Sequence, residues 1–198
     1  VINYPINPNT EILSKEECAN KLGIELKKDT FYILAFGGTR MDKGIDILVN
    51  AINKVNKNVT LIIAGNEVDI KKIDIKNAFN PINKSNKIIY HMNFINNDDV
   101  KYYFNIADLV AIPYRKTFFG QSGPLTEAIK YSKPIIGSRW KVIEDTINEY
   151  QCGILFEPES SEDLSNAINT IIEKYSEYLS NLNLNKEDFI KSRTSKFF

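Results

Sequence analysis

The sequence predicts a doubly wound α/β fold on a parallel sheet of about six strands, and three observations predict it. Short runs rich in Ile, Leu and Val recur at 31–36, 59–64, 87–91, 109–113, 134–137 and 153–156. Stretches with the helical spacing of apolar residues fill the gaps between them. The runs carry little polar interruption, which is how strands read when helices cover both faces of their sheet.

Val1 to Thr10 (VINYPINPNT) has no periodicity and reads as a connector, followed by a short helical stretch containing Cys18 to Leu22. Phe31 to Phe36 is a buried-strand run. Gly37, Gly38, Thr39, Arg40, Met41, Asp42, Lys43 and Gly44 follow, and then Ile45, Leu48, Val49, Ile52 and Val55 share one helical face. The order is strand, glycine turn, helix. Glycines let such a turn tighten and approach a ligand closely. Arg40 and Lys43 fall at the helix start, where a cation opposes the dipole unless an anion sits between them. A guanidinium fork and an ammonium there suit a diphosphate, although two solvated surface cations would read the same way. The spacing matches neither GxGxxG nor GxxxxGK[ST], which argues against NAD binding and ATP hydrolysis.

Further along, Leu109 to Pro113 and Pro134 to Ile136 flank a helix opened by Gln121, Ser122, Gly123, Pro124 and Leu125. Pro124 suits the first helical position, where its missing N–H costs nothing. Ser122 or Gly123 suits the cap, so that amides and the positive dipole end face out of the carboxyl edge of the sheet. Glu127 comes one turn in, where an acceptor-only carboxylate fits a vicinal diol beside a phosphate. A phosphate beside a diol describes a nucleotide. Singly, these residues are also ordinary helix-start chemistry.

The other constellations favour structural roles. His91 lies in a strand-like stretch and reads as a packed or hydrogen-bonded histidine. Asp98 and Asp99 are first-turn acids of a helix rather than a catalytic carboxylate pair. Tyr114 to Phe119 is aromatic and basic, either a wall of a ligand pocket or a packed surface loop. Glu144 and Glu149 flank a helix after Trp140 and receive no role. The last clear helix starts at Ser161, with Leu164, Ala167, Ile168, Ile171, Ile172 and Tyr175 on one side. It weakens through Ser180 to Asn185, so a loop is expected before a final segment at 186–198.

At 198 residues the chain has the length of one large domain, with apolar content sufficient for a core. Its formal net charge is zero and its Lys and Arg residues are scattered, which excludes the electrostatic footprint of nucleic-acid binding. Cys18 and Cys152 stand far apart, consistent with a reducing compartment, and one His leaves no zinc cluster, so cytoplasm and no metal are expected. No apolar run reaches the roughly 18 residues of a membrane span.

In this order and spacing, five segments resemble the donor-binding, C-terminal half of the GT-B, family four retaining glycosyltransferases, which include many bacterial polysaccharide and capsule enzymes. They are FGGTRMDKGIDILVNAI, VTLIIAGN, IIYHMNFINNDDVKYYFNIADLVAIPY, QSGPLTEAIKYSKPIIGS and GILFEPESSEDLSNAI, which together span most of the chain. The resemblance implies that Arg40 and Lys43 grip the donor's phosphates and act in catalysis, with Gly37 and Gly38 beside them. It implies that Asn93, Phe94 and Ile95 meet the base, that Glu127 holds the ribose hydroxyls, and that Gln121, Ser122, Gly123, Pro124 and Leu125 form the donor corner, with no metal. The donor implied is a nucleotide-diphosphate sugar, a UDP-sugar being favoured, and no other cofactor. Residues 1–28 would then be the connector and short helix from an N-terminal acceptor-binding domain, 29–180 the nucleotide-sugar-binding unit and 181–198 a C-terminal tail. Enzymes of this kind need that N-terminal domain, which nothing here is long enough to supply, so the chain alone is expected to bind donor weakly and transfer little. The full-length enzyme would work in the cytoplasm, with room for peripheral association at the inner face of the membrane.

The chain also departs from the family pattern. A second Glu usually stands eight positions before the ribose-binding one, and here that place is Phe119. Arg139 and Trp140 replace the small pair often found after the next strand, and Asn93 replaces a frequent glycine. The rival readings are a non-catalytic nucleotide or nucleotide-sugar binding module and a flavodoxin-like interaction domain, with an epimerase or phosphorylase as a weaker enzymatic alternative.

Overall fold

A computed structural model describes residues 10–194. The connector Val1 to Thr10, apart from its last residue, and the end of the final segment at 195–198 lie outside the described residues. The chain runs α1 (Lys15–Leu22), β1 (Phe31–Phe36), α2 (Ile45–Ile52), β2 (Val59–Ala64), α3 (Lys72–Ala78), β3 (Lys87–His91), α4 (Val100–Ile106), β4 (Leu109–Ile112), α5 (Gly123–Lys130), β5 (Ile135–Ser138), α6 (Lys141–Tyr150), β6 (Gly153–Phe156), α7 (Ser161–Glu173) and α8 (Tyr175–Thr194). Single 3₁₀ turns at Met41–Lys43 and Asn97–Asp99 precede α2 and α4.

Six strands form one parallel sheet in the order β3-β2-β1-β4-β5-β6, so the doubly wound architecture expected from the sequence is the one found. Alternation along each strand divides the core in two. Tyr32, Leu34, Ile62, Ala64, Val110, Ile112 and Ile135 face a layer made by α1, α4, α5, α6 and α8. Ile33, Ala35, Leu61, Ile63, Leu109, Ala111 and Ile136 face α2, α3 and α7. Both faces are thus sealed, which leaves the sheet's two edges, and the carboxyl edge in particular, to meet ligands.

Local chemistry sets the element ends. Ser14 and Glu17 form a reciprocal capping box at α1, and Gly23 closes that helix at φ 66°. Asp108, just before β4, accepts from the Tyr32 N–H (2.9 Å) and from Lys15 Nζ (2.5 Å), tying α1 to the amino edge of the sheet.

One expectation is corrected. The loop expected around Ser180 to Asn185 is helical, part of the 20-residue α8, and the break falls earlier, at Lys174. The polar run conceals a sparse apolar stripe: Leu182 and Phe189, seven positions apart, are both fully buried against the α5 and α6 layer. Tertiary burial rather than propensity makes this helix. Among the described residues no helix is long and apolar enough to cross a membrane, and both cysteines are buried and unpaired.

Candidate functional site

The strand order reverses between β1 and β4, which pair directly, Ile33 opposite Leu109. Loops leaving two such strands diverge to opposite faces and open a crevice at the carboxyl edge. Both anion turns read from the sequence start there, at 37–44 after β1 and at 113–123 after β4.

The first turn is held from below. Gly37, at φ 117°, donates to Ala64 O (2.8 Å) at the end of β2. Thr39 is fully buried; its hydroxyl donates to Ile70 O (2.8 Å) and accepts from the Val68 N–H (2.9 Å). Gly38 meets the same β2 loop, since a Cβ there would stand 3.2 Å from Val68. Gly44, at φ 64°, lies against the Pro113 carbonyl. Arg115 N donates to Asp42 O (2.9 Å), and its guanidinium clasps both oxygens of Asp46 on α2 at 3.0 and 2.7 Å. The two loops are therefore cross-braced.

The side chains between them form a partly apolar cation site. Lys43 Nζ lies 3.7 Å from the centroid of the Tyr114 ring and 4.1 Å from that of Phe118. Burial, with repulsion from Arg40, pulls its pKa down to about 8. Ring faces stabilise an ammonium, and among the described residues Lys43 forms no ion pair with a carboxylate partner. Arg40 has found one: its guanidinium donates to both oxygens of Asp42 (3.0 and 2.6 Å), which raises the arginine and lowers the carboxylate.

Tyr114 joins this corner to the second. Its ring supports Lys43 and its hydroxyl accepts from Ser122 Oγ (3.2 Å); burial drives the phenol up to about 12. Ser122 Oγ in turn caps α5 by accepting from the Leu125 N–H (3.2 Å). Ser122, not Gly123, is the cap, and Pro124 occupies the second helical position rather than the first. Pro124 has no N–H and the Thr126 amide is taken by Ser122 O (3.3 Å). Among the described residues this leaves the Gly123 N–H without an internal acceptor, so the helix offers less backbone than its sequence suggests.

Glu127 lies one turn in, partly exposed, 3.3 Å from Lys130. It borders a cleft of about 560 Å³ shared with Phe36, Asn97, Asp98, Lys101, Gly123 and Pro124, and bounded by Glu11, which pairs with Lys101. Asn93, Phe94 and Ile95 are not in it. They line a neighbouring cleft of about 420 Å³ with His91, Asp99 and Tyr103. Phe94 is 73% exposed, while Ile95 packs against the core. Gln121 borders a third, smaller cavity, and Leu125 is buried. His91 Nδ1 meets the Tyr103 hydroxyl at 2.9 Å, the packed role expected for it. Of the Tyr114 to Phe119 loop, Tyr114 and Phe118 are buried and Phe119 is 74% exposed. The aromatic support of Lys43 has no signature in the sequence, because its parts lie some seventy residues apart. Among the described residues no group of three or more His, Cys, Asp or Glu could hold a metal ion.

No curated protein matches the sequence at a significant level. Solved structures do. The chain superposes with a TM-score of 0.74 on Anabaena Alr3699/HepE in complex with UDP and glucose, at 21% identity, covering 97% of this chain and 51% of that one. On sucrose-phosphate synthase from Thermosynechococcus elongatus the values are 0.72, 18%, 98% and 46%. On the C-terminal domain of a glycosyl transferase group 1 family protein (LpcC) from Francisella tularensis they are 0.68, 20%, 97% and 95%. The chain thus spans about half the length of the first two, and the likeness shows the shared fold. Residues 16–188 match the sequence profile of the family described as glycosyl transferases group 1, and the chain belongs to that family.

Proposed function

We propose that this chain is the donor-binding half of a GT-B glycosyltransferase of the retaining, family four type. The enzyme would move a hexose from a nucleoside diphosphate sugar, UDP-linked by preference, to a glycan or lipid-linked acceptor in polysaccharide or capsule assembly. The observation that carries the reading is Tyr114, whose ring holds Lys43 and whose hydroxyl meets Ser122, so that one side chain joins the two corners. A phosphate there would meet Lys43, Arg40 once it leaves Asp42, and the Gly123 N–H, while Glu127 would take the ribose diol. The Anabaena structure with UDP and glucose, on the same fold, supports a uridine nucleotide.

Breaking the sugar to phosphate bond puts negative charge on the departing diphosphate, and fixed cations in a partly desolvated site stabilise it as it forms. In this proposal Arg40 and Lys43 supply that charge and no metal is required. Glu127 orients the nucleotide. The acceptor domain would come from elsewhere in the same protein, so this chain alone would bind donor and transfer little. We place the work of the whole enzyme in the cytoplasm, with peripheral contact at the inner membrane face. Phe119 favours one second reading, a nucleotide-sugar binding module without transfer, which the activity of the whole protein would separate. The test of ligand class is a thermal-shift screen of UDP-, GDP-, ADP- and CMP-sugars against this chain. A rise in Tm with UDP-sugars is expected, and no rise with any of the four overturns the reading.

A further inference from the structure

A cavity of about 170 Å³ adjoins the Lys43 corner, between the loop before α5 and the start of α6, and is lined by Phe118, Phe119, Gly120, Gln121, Trp140 and Lys141. Phe118 belongs to both places, since its ring also lies 4.1 Å from Lys43 Nζ. Trp140 Nε1 donates to Phe118 O (3.2 Å), which fastens the loop to the helix and fixes the cavity's width. A group bonded to a phosphate at Lys43 therefore has this cavity as its neighbour. Two of its three aromatic side chains, Phe119 and Trp140, form walls suited to the C–H face of a sugar ring.

The cavity also carries a charge with no opposite number. Lys141 Nζ sits 3.6 Å from the centroid of the Phe119 ring and 5.0 Å from that of Trp140, and among the described residues its partners are these rings and no carboxylate. Glu144, on the same helix, is held by Arg139 at 3.5 Å, and Arg139 also binds Glu157 at 2.8 Å. Lys141 stands at φ 47°, where a residue with a Cβ is uncommon, and adds a cation to the already positive start of α6. Lys141 is exposed, and the two rings hold its ammonium at the mouth of the cavity, where an anionic group on a ligand reaches it.

We propose that the transferred sugar is an acidic one, a hexuronic acid whose ring lies against Phe119 and Trp140 and whose carboxylate pairs with Lys141. The inference rests on the donor-binding reading above and adds the class of sugar to it. The experiment is isothermal titration of this chain with UDP, UDP-glucose, UDP-glucuronate and UDP-galacturonate, and with GDP, GDP-mannose and GDP-mannuronate. At least one uronate binds about tenfold more tightly than the neutral sugar on the same nucleotide. Lys141→Met brings that ratio towards one, and Lys141→Arg keeps most of it. Equal binding of neutral and acidic sugars by the native chain, with UDP or GDP itself bound, overturns the inference alone. A preference that survives Lys141→Met overturns the role of Lys141. Failure of both UDP and GDP to bind overturns this inference, and failure of ADP and CMP as well overturns the donor reading with it.

Discussion

Gly44 and Pro113 touch backbone to backbone: a Cβ on Gly44 would stand 2.0 Å from the Pro113 carbonyl oxygen. At φ 64° this glycine lets the β1 loop close onto the β4 loop. Gly44→Ala adds strain and a clash together, and should cost at least about 2 kcal/mol. Thermal unfolding followed by circular dichroism should show a Tm lower by roughly 4 to 8 °C. An unchanged Tm would mean that the two loops are not in contact in solution.

Lys43 gives a pH signature. Burial, with Arg40 beside it, brings the ammonium from the usual 10.5 to about 8. A bound phosphate favours the charged form, so UDP binding takes up a proton once the free lysine is neutral. Affinity should be full below about pH 8 and fall as pH rises above it, by up to about tenfold per unit. Folding responds in the opposite sense: the unfolded chain binds the extra proton between pH 8 and 10.5, so this residue's contribution to stability grows with pH across that window. Calorimetry with UDP at roughly pH 7 to 9 checks the first sign. Lys43→Met should abolish the pH dependence and lose far more affinity for UDP than for uridine.

Glu127 should act on the nucleoside and not on the phosphates. Glu127→Ala is expected to weaken UDP and uridine alike, by about 1 to 3 kcal/mol for a lost charged acceptor. Titration of both ligands decides the matter, since a loss confined to UDP would assign the carboxylate to the diphosphate end.

Ser122 serves α5 and Tyr114 with one hydroxyl. Ser122→Ala should cost about 0.5 to 2 kcal/mol through the lost cap, and Tyr114→Phe less. Because they share a hydrogen bond, urea denaturation of the double variant should show less than the sum of the single losses. Strict additivity would show that the Ser122 to Tyr114 contact contributes nothing.

The fold was legible because each strand is a contiguous apolar run and each crossover carries its own helical stripe. The two loops at the carboxyl edge were legible for the same reason: strand, turn and helix start lie within a dozen residues at Gly37 to Gly44 and again at Gln121 to Glu127. What joins them was not. Lys43 rests on rings from Tyr114 and Phe118, Arg115 reaches back to Asp46, and Lys101 pairs with Glu11. Asn93 to Ile95 turn into a cleft of their own, because the backbone between them and α4 separates adjacent residues: Asp98 faces one cleft and Asp99 the other. Helix α8 is not evident in the sequence because two buried apolar residues, Leu182 and Phe189, hold a stretch rich in Asn and Ser.

That last helix reaches further than its position in the chain suggests. Phe189 meets Tyr150 edge-on at 5.0 Å, Ser192 meets the Tyr150 hydroxyl at 3.2 Å, and Lys186 reaches Ser132 at 2.9 Å. It is a buttress standing behind α5 and α6, whose opposite ends frame the crevice. Trimming the polypeptide at the polar stretch near residue 181 would remove the rear support of both helices, and the carboxyl edge of the sheet would slacken although none of its own side chains had changed.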